Sequence, residues 1–127
     1  MDYPDFRLDH QVAVVTGASM GIGYGLAKAL ANAGATVVAA ARSVPPLMQL
    51  INEIHAEGGQ AEALELDVTD LDQIEIAFKT VHDRFGRLDI LVNNAGLGAN
   101  HPAELVTEAD WDEMMAVNLK GLFFCCQ

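Results

Sequence analysis

Apolar positions along the chain fall into short unbroken runs, separated by longer stretches in which they recur at helical spacing. Gln11 to Thr16 (QVAVVT) is nearly all apolar, the pattern of a strand buried on both faces. Gly17 to Gly23 interrupts it. Leu26, Ala27, Leu30 and Ala31 then follow a helical period up to Gly34, which is suited to a left-handed cap. Thr36 to Ala41 (TVVAAA) predicts a second strand. Ser43, Pro45 and Pro46 mark a second helix start, since proline fits a first turn, and Leu47, Leu50, Ile51 and Ile54 give its apolar face before Gly58-Gly59. Ala61 to Leu66 (AEALEL) alternates weakly, and is read as a third strand mainly because the order of elements requires one. Thr69 with Asp72 three residues on reads as a capping box, followed by a buried stripe of Leu71, Ile74, Phe78, Val81 and Phe85. Leu88 to Val92 (LDILV) predicts a fourth strand ending in Asn93-Asn94-Ala95-Gly96. Thr107, with Asp110 three residues later, caps a last helix.

Strand–helix units in series imply right-handed crossovers, hence an α/β fold with a doubly wound parallel sheet. No repeat, low-complexity segment or linker divides residues 1–127, which read as one unit. The fourth strand is apolar, so its outer edge calls for a partner or a cover. No later strand within the 127 residues provides one. The chain therefore reads as a truncated portion, the first half of a larger sheet.

Composition narrows the function classes. Apolar residues make up 51% of the chain, enough for one core. Seven Lys/Arg against eighteen Asp/Glu leave a formal charge of −11, which disfavours a nucleic-acid surface. No apolar run approaches the roughly 20 residues needed to cross a bilayer. Met1 to His10 lacks the apolar core of a secretory signal. These features point to a cytoplasmic protein with neither membrane nor nucleic-acid partner. Cys125 and Cys126 are adjacent, without C-x-x-C redox spacing, and His10, His55, His82 and His101 lack metal-ligand spacing. Core packing is the expectation for both sets, and no metal site is expected.

The strongest chemical signal is Thr16-Gly17-Ala18-Ser19-Met20-Gly21-Ile22-Gly23, placed after a buried strand and before a helix. In that context Gly17 permits a tight turn and Gly21 lets backbone N–H groups approach anionic oxygens. Gly23 lets helix and strand pack closely, and the helix N-terminus favours negative charge. The bland alternative is glycines that only turn the chain. The spacing is G-x-x-x-G-x-G, and no Gly-Lys-Ser/Thr follows as in a Walker loop.

At the end of the second strand an acid would bind both ribose hydroxyls and repel a 2′-phosphate. Ala41 stands there instead, followed by Arg42, whose guanidinium can pair with a phosphate. This favours NADP(H), with NAD(H) possible; a merely solvated arginine is the alternative. Asp67-Val68 and Asn94-Ala95-Gly96 fall at the third and fourth strand ends, lining the same crevice. Asp67 can accept from an adenine amine or cap the helix that follows. Asn94 to Gly96 can pass closely under an adenosine or simply form a turn. Asn118 falls within an apolar stripe of Trp111, Met114, Met115, Leu119 and Leu122, and a buried amide requires partners. A catalytic water chain and a satisfied core asparagine both meet that requirement. Tyr24 and Lys28 share one helix face, but one turn past the phosphate site, and are read as a surface pair.

Together these residues resemble the short-chain dehydrogenase/reductase family along essentially the whole chain: Thr16 to Gly23, Ala41-Arg42, Asp67-Val68, Asn93 to Gly96 and Val117-Asn118. The resemblance implies a Rossmann-type sheet ordered 3-2-1-4 and a cofactor site of Gly17, Ser19, Met20, Gly21, Ile22, Gly23, Arg42, Asp67, Val68, Asn94, Ala95, Gly96 and Val117. It implies that Asn118 is the asparagine of an Asn-Ser-Tyr-Lys tetrad, holding a water in a proton relay. Residues 1–127 would then be the dinucleotide-binding portion of a single larger domain. The implied activity is hydride transfer between NADP(H) and the carbonyl or secondary alcohol of a small-molecule substrate, in a homotetramer or homodimer. The Ser and the Tyr-x-x-x-Lys pair of that tetrad have no counterpart at the expected place in this chain. Two rivals stand beside this reading: a catalytically silent dinucleotide-binding or sensing protein, and an interaction module whose glycines bind nothing.

Overall fold

The computed structural model describes residues 4–127. Four strands, β1 (Val12–Thr16), β2 (Thr36–Ala41), β3 (Gln60–Glu65) and β4 (Ile90–Val92), form one parallel sheet in the order β3-β2-β1-β4. Helices α1 (Gly21–Asn32), α2 (Leu47–Ala56) and α3 (Leu71–Phe85) connect them. A final helical stretch runs through α4 (Glu108–Met115), a π-helical segment (Ala116–Gly121) and α5 (Leu122–Cys126). No helix among the described residues is long and apolar enough to cross a membrane.

The two-residue side-chain period of the strands sorts the core into layers. Ala13, Val15, Val37, Ala39 and Ala41 face α1 and α2, against Ala27, Ala31, Leu47, Leu50 and Ile54. Val12, Val14 and Val38 face the other way, against Val81 of α3, and Ala40 meets Ile74, Ala77 and Cys125. The small residues of β2 let helices approach on both sides. Every β1 residue is buried, as a central strand flanked on both faces requires.

The predicted elements form in the predicted order, with local differences. β2 has the expected bounds, and β3 starts one residue earlier, at Gln60. α3 is capped by Asp70, not Thr69: the Asp70 carboxylate accepts from the backbone N–H of Asp72 and Gln73, at 3.0 and 3.1 Å, while Gln73 Nε2 donates back at 3.2 Å. The Thr69 side chain is turned to Asp67 instead. Leu71, placed in the buried stripe by its period, is exposed, and Ala77 takes the buried position. The Thr107 capping box forms as expected. β4 pairs with β1 alone, and its three residues are half-buried, so no strand covers its outer edge among the described residues.

The apolar stripe of the last helix is not buried here. Trp111 is 61% exposed, Leu119 55% and Phe123 59%. Periodicity reports that a face is apolar, not what covers it. The stripe also crosses the π-helical segment, whose wider turn rotates every later side chain away from a 3.6-residue extrapolation.

Candidate functional site

The carboxyl ends of the four strands open into one cleft of about 690 Å³, a size ordinary for ligand sites. Its wall includes Gly17, Ser19, Met20, Ala41, Arg42, Asp67, Val68, Asn94, Ala95, Gly96 and Val117. Parallel strands bring these residues together because every β1–β4 turn leaves from the same sheet edge. Gly21, Ile22 and Gly23 form the first turn of α1 next to the cleft, without lining it.

The glycine loop is built by two different constraints. Gly17 and Gly21 take positive φ values of 64° and 60°, a backbone region that L side chains resist. The space beside Gly21 is open, whereas a Cβ on Gly17 would lie 2.9 Å from Ala95 Cα. Gly23 is a matter of room: a Cβ there would come within 2.5 Å of the Gly17 carbonyl oxygen and collide with the Asn94 amide.

Asn94 holds the loop from beneath. Its Nδ2 donates to the carbonyls of Thr16 and Gly17, at 3.1 and 3.0 Å. Thr16, the buried polar residue of the core, accepts at Oγ1 from the backbone N–H groups of Asn94 (3.1 Å) and Ala95 (3.0 Å). The Asn94 amide is therefore committed to the protein, and its turn locks β1 to β4 at the cleft floor. Thr16 was legible as the end of an apolar strand and the first residue of the glycine motif, while its bracing of the Asn94 turn was not.

The start of α1 carries no side-chain cap and no acid in its first turn, unlike the Asp70 and Thr107 starts of α3 and α4. Its leading N–H groups stay available to an anion, reinforced by the helix dipole. Arg42 is exposed at the cleft edge and makes no ion pair among the described residues. Asp67 Oδ1 accepts from the Thr69 N–H at 2.9 Å and from its hydroxyl at 2.7 Å. These two bonds, with the more distant charge of Arg42, hold the Asp67 carboxyl below the usual range. Asp67 thus orders its own turn, while Asp70 caps the helix.

Asn118 is exposed, not buried, and its partner is backbone: Oδ1 accepts from the Leu97 N–H at 2.7 Å, and Nδ2 donates to the Leu97 carbonyl at 2.8 Å. The requirement for partners is met across the chain by the loop after β4. Leu97 and Glu113 also line the cleft, and neither stands out in the sequence.

Tyr24 and Lys28 lie away from the cleft. Lys28 bridges Glu53 of α2 at 3.0 Å and Glu57, just past its end, at 2.8 Å, and Glu53 is held down at about 2, by Gln49 first and then Lys28. Tyr24 is partly buried, not a surface residue, and its phenol is pushed up by burial first and then by Glu53. Of the cysteines, Cys125 joins the core, with burial pushing its thiol up to about 11, while Cys126 is exposed. The histidines are exposed rather than packed in the core, and no metal-binding group occurs among the described residues.

Residues 11–127 match the family profile described as short chain dehydrogenase. D-threitol dehydrogenase from Mycolicibacterium smegmatis is 41% identical over 123 residues, covering 97% of this chain and 47% of that protein. Gluconate 5-dehydrogenase from Gluconobacter oxydans is 41% identical over 128 aligned positions, covering 100% of this chain and 50% of the relative. Among solved structures, a putative short-chain alcohol dehydrogenase from Sinorhizobium meliloti superimposes with a TM-score of 0.92 at 45% identity, covering 98% of this chain and 49% of its own. A metagenomic short-chain oxidoreductase in complex with NADP gives a TM-score of 0.89 at 44% identity, over 93% of this chain and 54% of its own. The chain spans about half the length of the curated relatives it matches.

Proposed function

The chain belongs to the short-chain dehydrogenase family, and from that premise we propose that its cleft binds NADP(H) as the cofactor portion of an oxidoreductase. The observation that carries the reading is the cleft itself, where an uncapped helix start behind two positive-φ glycines opens beside an unpaired arginine. Gly17 to Gly23 would receive the pyrophosphate, Arg42 the 2′-phosphate, and Asp67-Val68 with Val117 the adenine. Asn94, Ala95 and Gly96 would form the floor, with Asn94 acting through the loop it holds. Absence of an acid at Ala41 supports NADP over NAD, because nothing there repels a 2′-phosphate. The NADP complex of the metagenomic relative supports the same preference.

A nicotinamide bound in the cleft supplies or accepts hydride at its ring C4. The residues of this chain bind and orient it, and Asn118 fixes the loop at Leu97 next to that path. We assign residues 1–127 to the dinucleotide-binding portion of one larger domain. The whole protein would transfer hydride to or from a carbonyl or secondary alcohol of a small molecule. Relatives named for threitol and gluconate dehydrogenation support that substrate class. The exposed apolar face of Trp111, Leu119 and Phe123 supports a homodimer or homotetramer.

The test compares dissociation constants for NADPH and NADH in the protein and in Arg42→Ala. A charge-assisted phosphate contact is worth roughly tenfold in affinity or more. Loss of the NADPH advantage in the variant, with NADH affinity unchanged, is the expected result. An unaltered ratio overturns the assignment of Arg42.

A further inference from the structure

The cleft wall carries an unexplained negative charge. A site proposed to hold a polyanion gains nothing from a carboxylate unless that carboxylate faces a hydrogen-bond donor. Two acids line it, Asp67 and Glu113, against Arg42. The acids of α4 are not equivalent. Asp110 is locked into the Thr107 cap by bonds of 2.9 and 2.7 Å, and Asp112 lines a separate apolar groove. Glu113 alone among them reaches the cleft, and its carboxylate has no hydrogen bond or ion pair among the described residues.

The Glu113 side chain is exposed, and the helix that carries it is held in place by packing. Val117, one turn further along, joins the apolar cluster of Val68 and so draws the helix onto the turn that carries Asp67. Glu113 and Val117 both line this cleft. At that wall Asp67 has one oxygen already taken by both Thr69 donors, leaving Oδ2 without a partner among the described residues. The wall therefore offers acceptors and no donor side chain from these two positions.

We propose that Glu113 is a specificity-determining residue of the cofactor site: with Asp67 it selects a base bearing an exocyclic amine over one bearing a carbonyl at the same position. An amine offers two N–H donors, one for each carboxylate. A carbonyl would set a third acceptor against two anions. The inference rests on the proposal that the cleft binds a nicotinamide dinucleotide, and Asp67 is already part of that reading, so Glu113 is the new element.

The test measures binding of NADPH and of its hypoxanthine counterpart to the purified protein and to Glu113→Gln. Glutamine has nearly the same shape and can donate as well as accept. The protein is expected to prefer the adenine form by about tenfold or more, the scale of a hydrogen bond to a charged group. Glu113→Gln is expected to reduce that preference several-fold while leaving the NADPH/NADH ratio, which reports Arg42, unchanged. Glu113→Leu, which removes both the acceptor and its charge, is expected to weaken the adenine form and to relieve the repulsion of the hypoxanthine one, narrowing the preference from both sides. An unchanged base preference in Glu113→Gln overturns the role of Glu113 and leaves the cofactor reading standing. Failure of the unaltered protein to bind either dinucleotide overturns both.

Discussion

Gly121 packs so closely on Val68 that a Cβ at position 121 would lie 2.5 Å from the Val68 carbonyl oxygen. The last helix is thereby set against the turn that follows β3, on the side of the cleft where Val117 also sits. Alanine would gain about 1 kcal/mol in helix propensity. Overpacking against a backbone carbonyl costs roughly 1–3 kcal/mol. Gly121→Ala is therefore expected to lower stability by about 1 kcal/mol in urea unfolding and to weaken NADPH binding, because the helix must lift off the wall. Equal or greater stability in the variant would contradict this packing.

The ring formed by Asn118 and the backbone of Leu97 fixes the loop after β4, and the π-helical segment places the amide to reach it. Asn118→Leu is close in size and removes both bonds. At roughly 0.5–1.5 kcal/mol per bond, a loss of about 1–3 kcal/mol is expected. Hydrogen exchange at the Leu97 amide should quicken markedly while amides of β2 stay protected. If Leu97 exchanges at the same rate in both proteins, the ring does not hold the loop.

Two glycines of the phosphate loop should separate into different effects. Gly23→Ala places a Cβ between the Gly17 carbonyl and the Asn94 amide, and a destabilisation of about 1–3 kcal/mol is expected. Gly21→Ala meets open space, so only the positive φ of 60° is strained, at about 1–2 kcal/mol. Its new methyl would nonetheless stand beside the N–H groups of α1, so NADPH affinity is expected to drop well beyond what that strain explains. Thermal unfolding and NADPH titration of both variants separate folding from binding. Identical behaviour of the two would remove the distinction.

Much of this was legible in the sequence, and the exceptions have physical causes. Strand β2 and the φ of 107° at Gly34 follow from an apolar run and a single glycine. The Asp70 cap was missed because Thr69 and Asp70 both precede an acceptable partner three residues on. The choice falls to Asp70 because the Asp67 carboxylate captures the Thr69 hydroxyl. Asn118 was legible as an amide needing partners, while its exposure was hidden by the π-helical segment. Gly121 drew no reading from the sequence, because an isolated glycine in a helical run does not show what packs against it. Glu113 gave no signal, since an acid on a surface helix is ordinary until packing turns it towards a cleft.

Beside Glu53 and Asp67, Asp89 is one of the lowered carboxyls through which stability depends on pH. Its carboxylate takes two bonds from Arg87, at 2.8 and 2.7 Å, and one from the Val12 N–H at 2.8 Å, tying the entrance of β4 to β1. Arg87 first, then Val12, lowers the Asp89 carboxyl below its ordinary 3.8. A carboxyl lowered on folding contributes stability that is present above its unfolded value and is lost as pH falls through the folded one. Urea midpoints should thus fall as pH drops below about 4, and Asp89→Asn should show a shallower fall. A slope identical in both proteins would place the acid sensitivity elsewhere.

The most direct test of the account is a calorimetric titration of NADPH into the protein. Saturable binding at one site per chain is expected, with the melting temperature rising as NADPH is added; at 100 times the dissociation constant the gain should be about 2.7 kcal/mol. No saturable heat and no shift in melting temperature would contradict the claim that this cleft is a dinucleotide site.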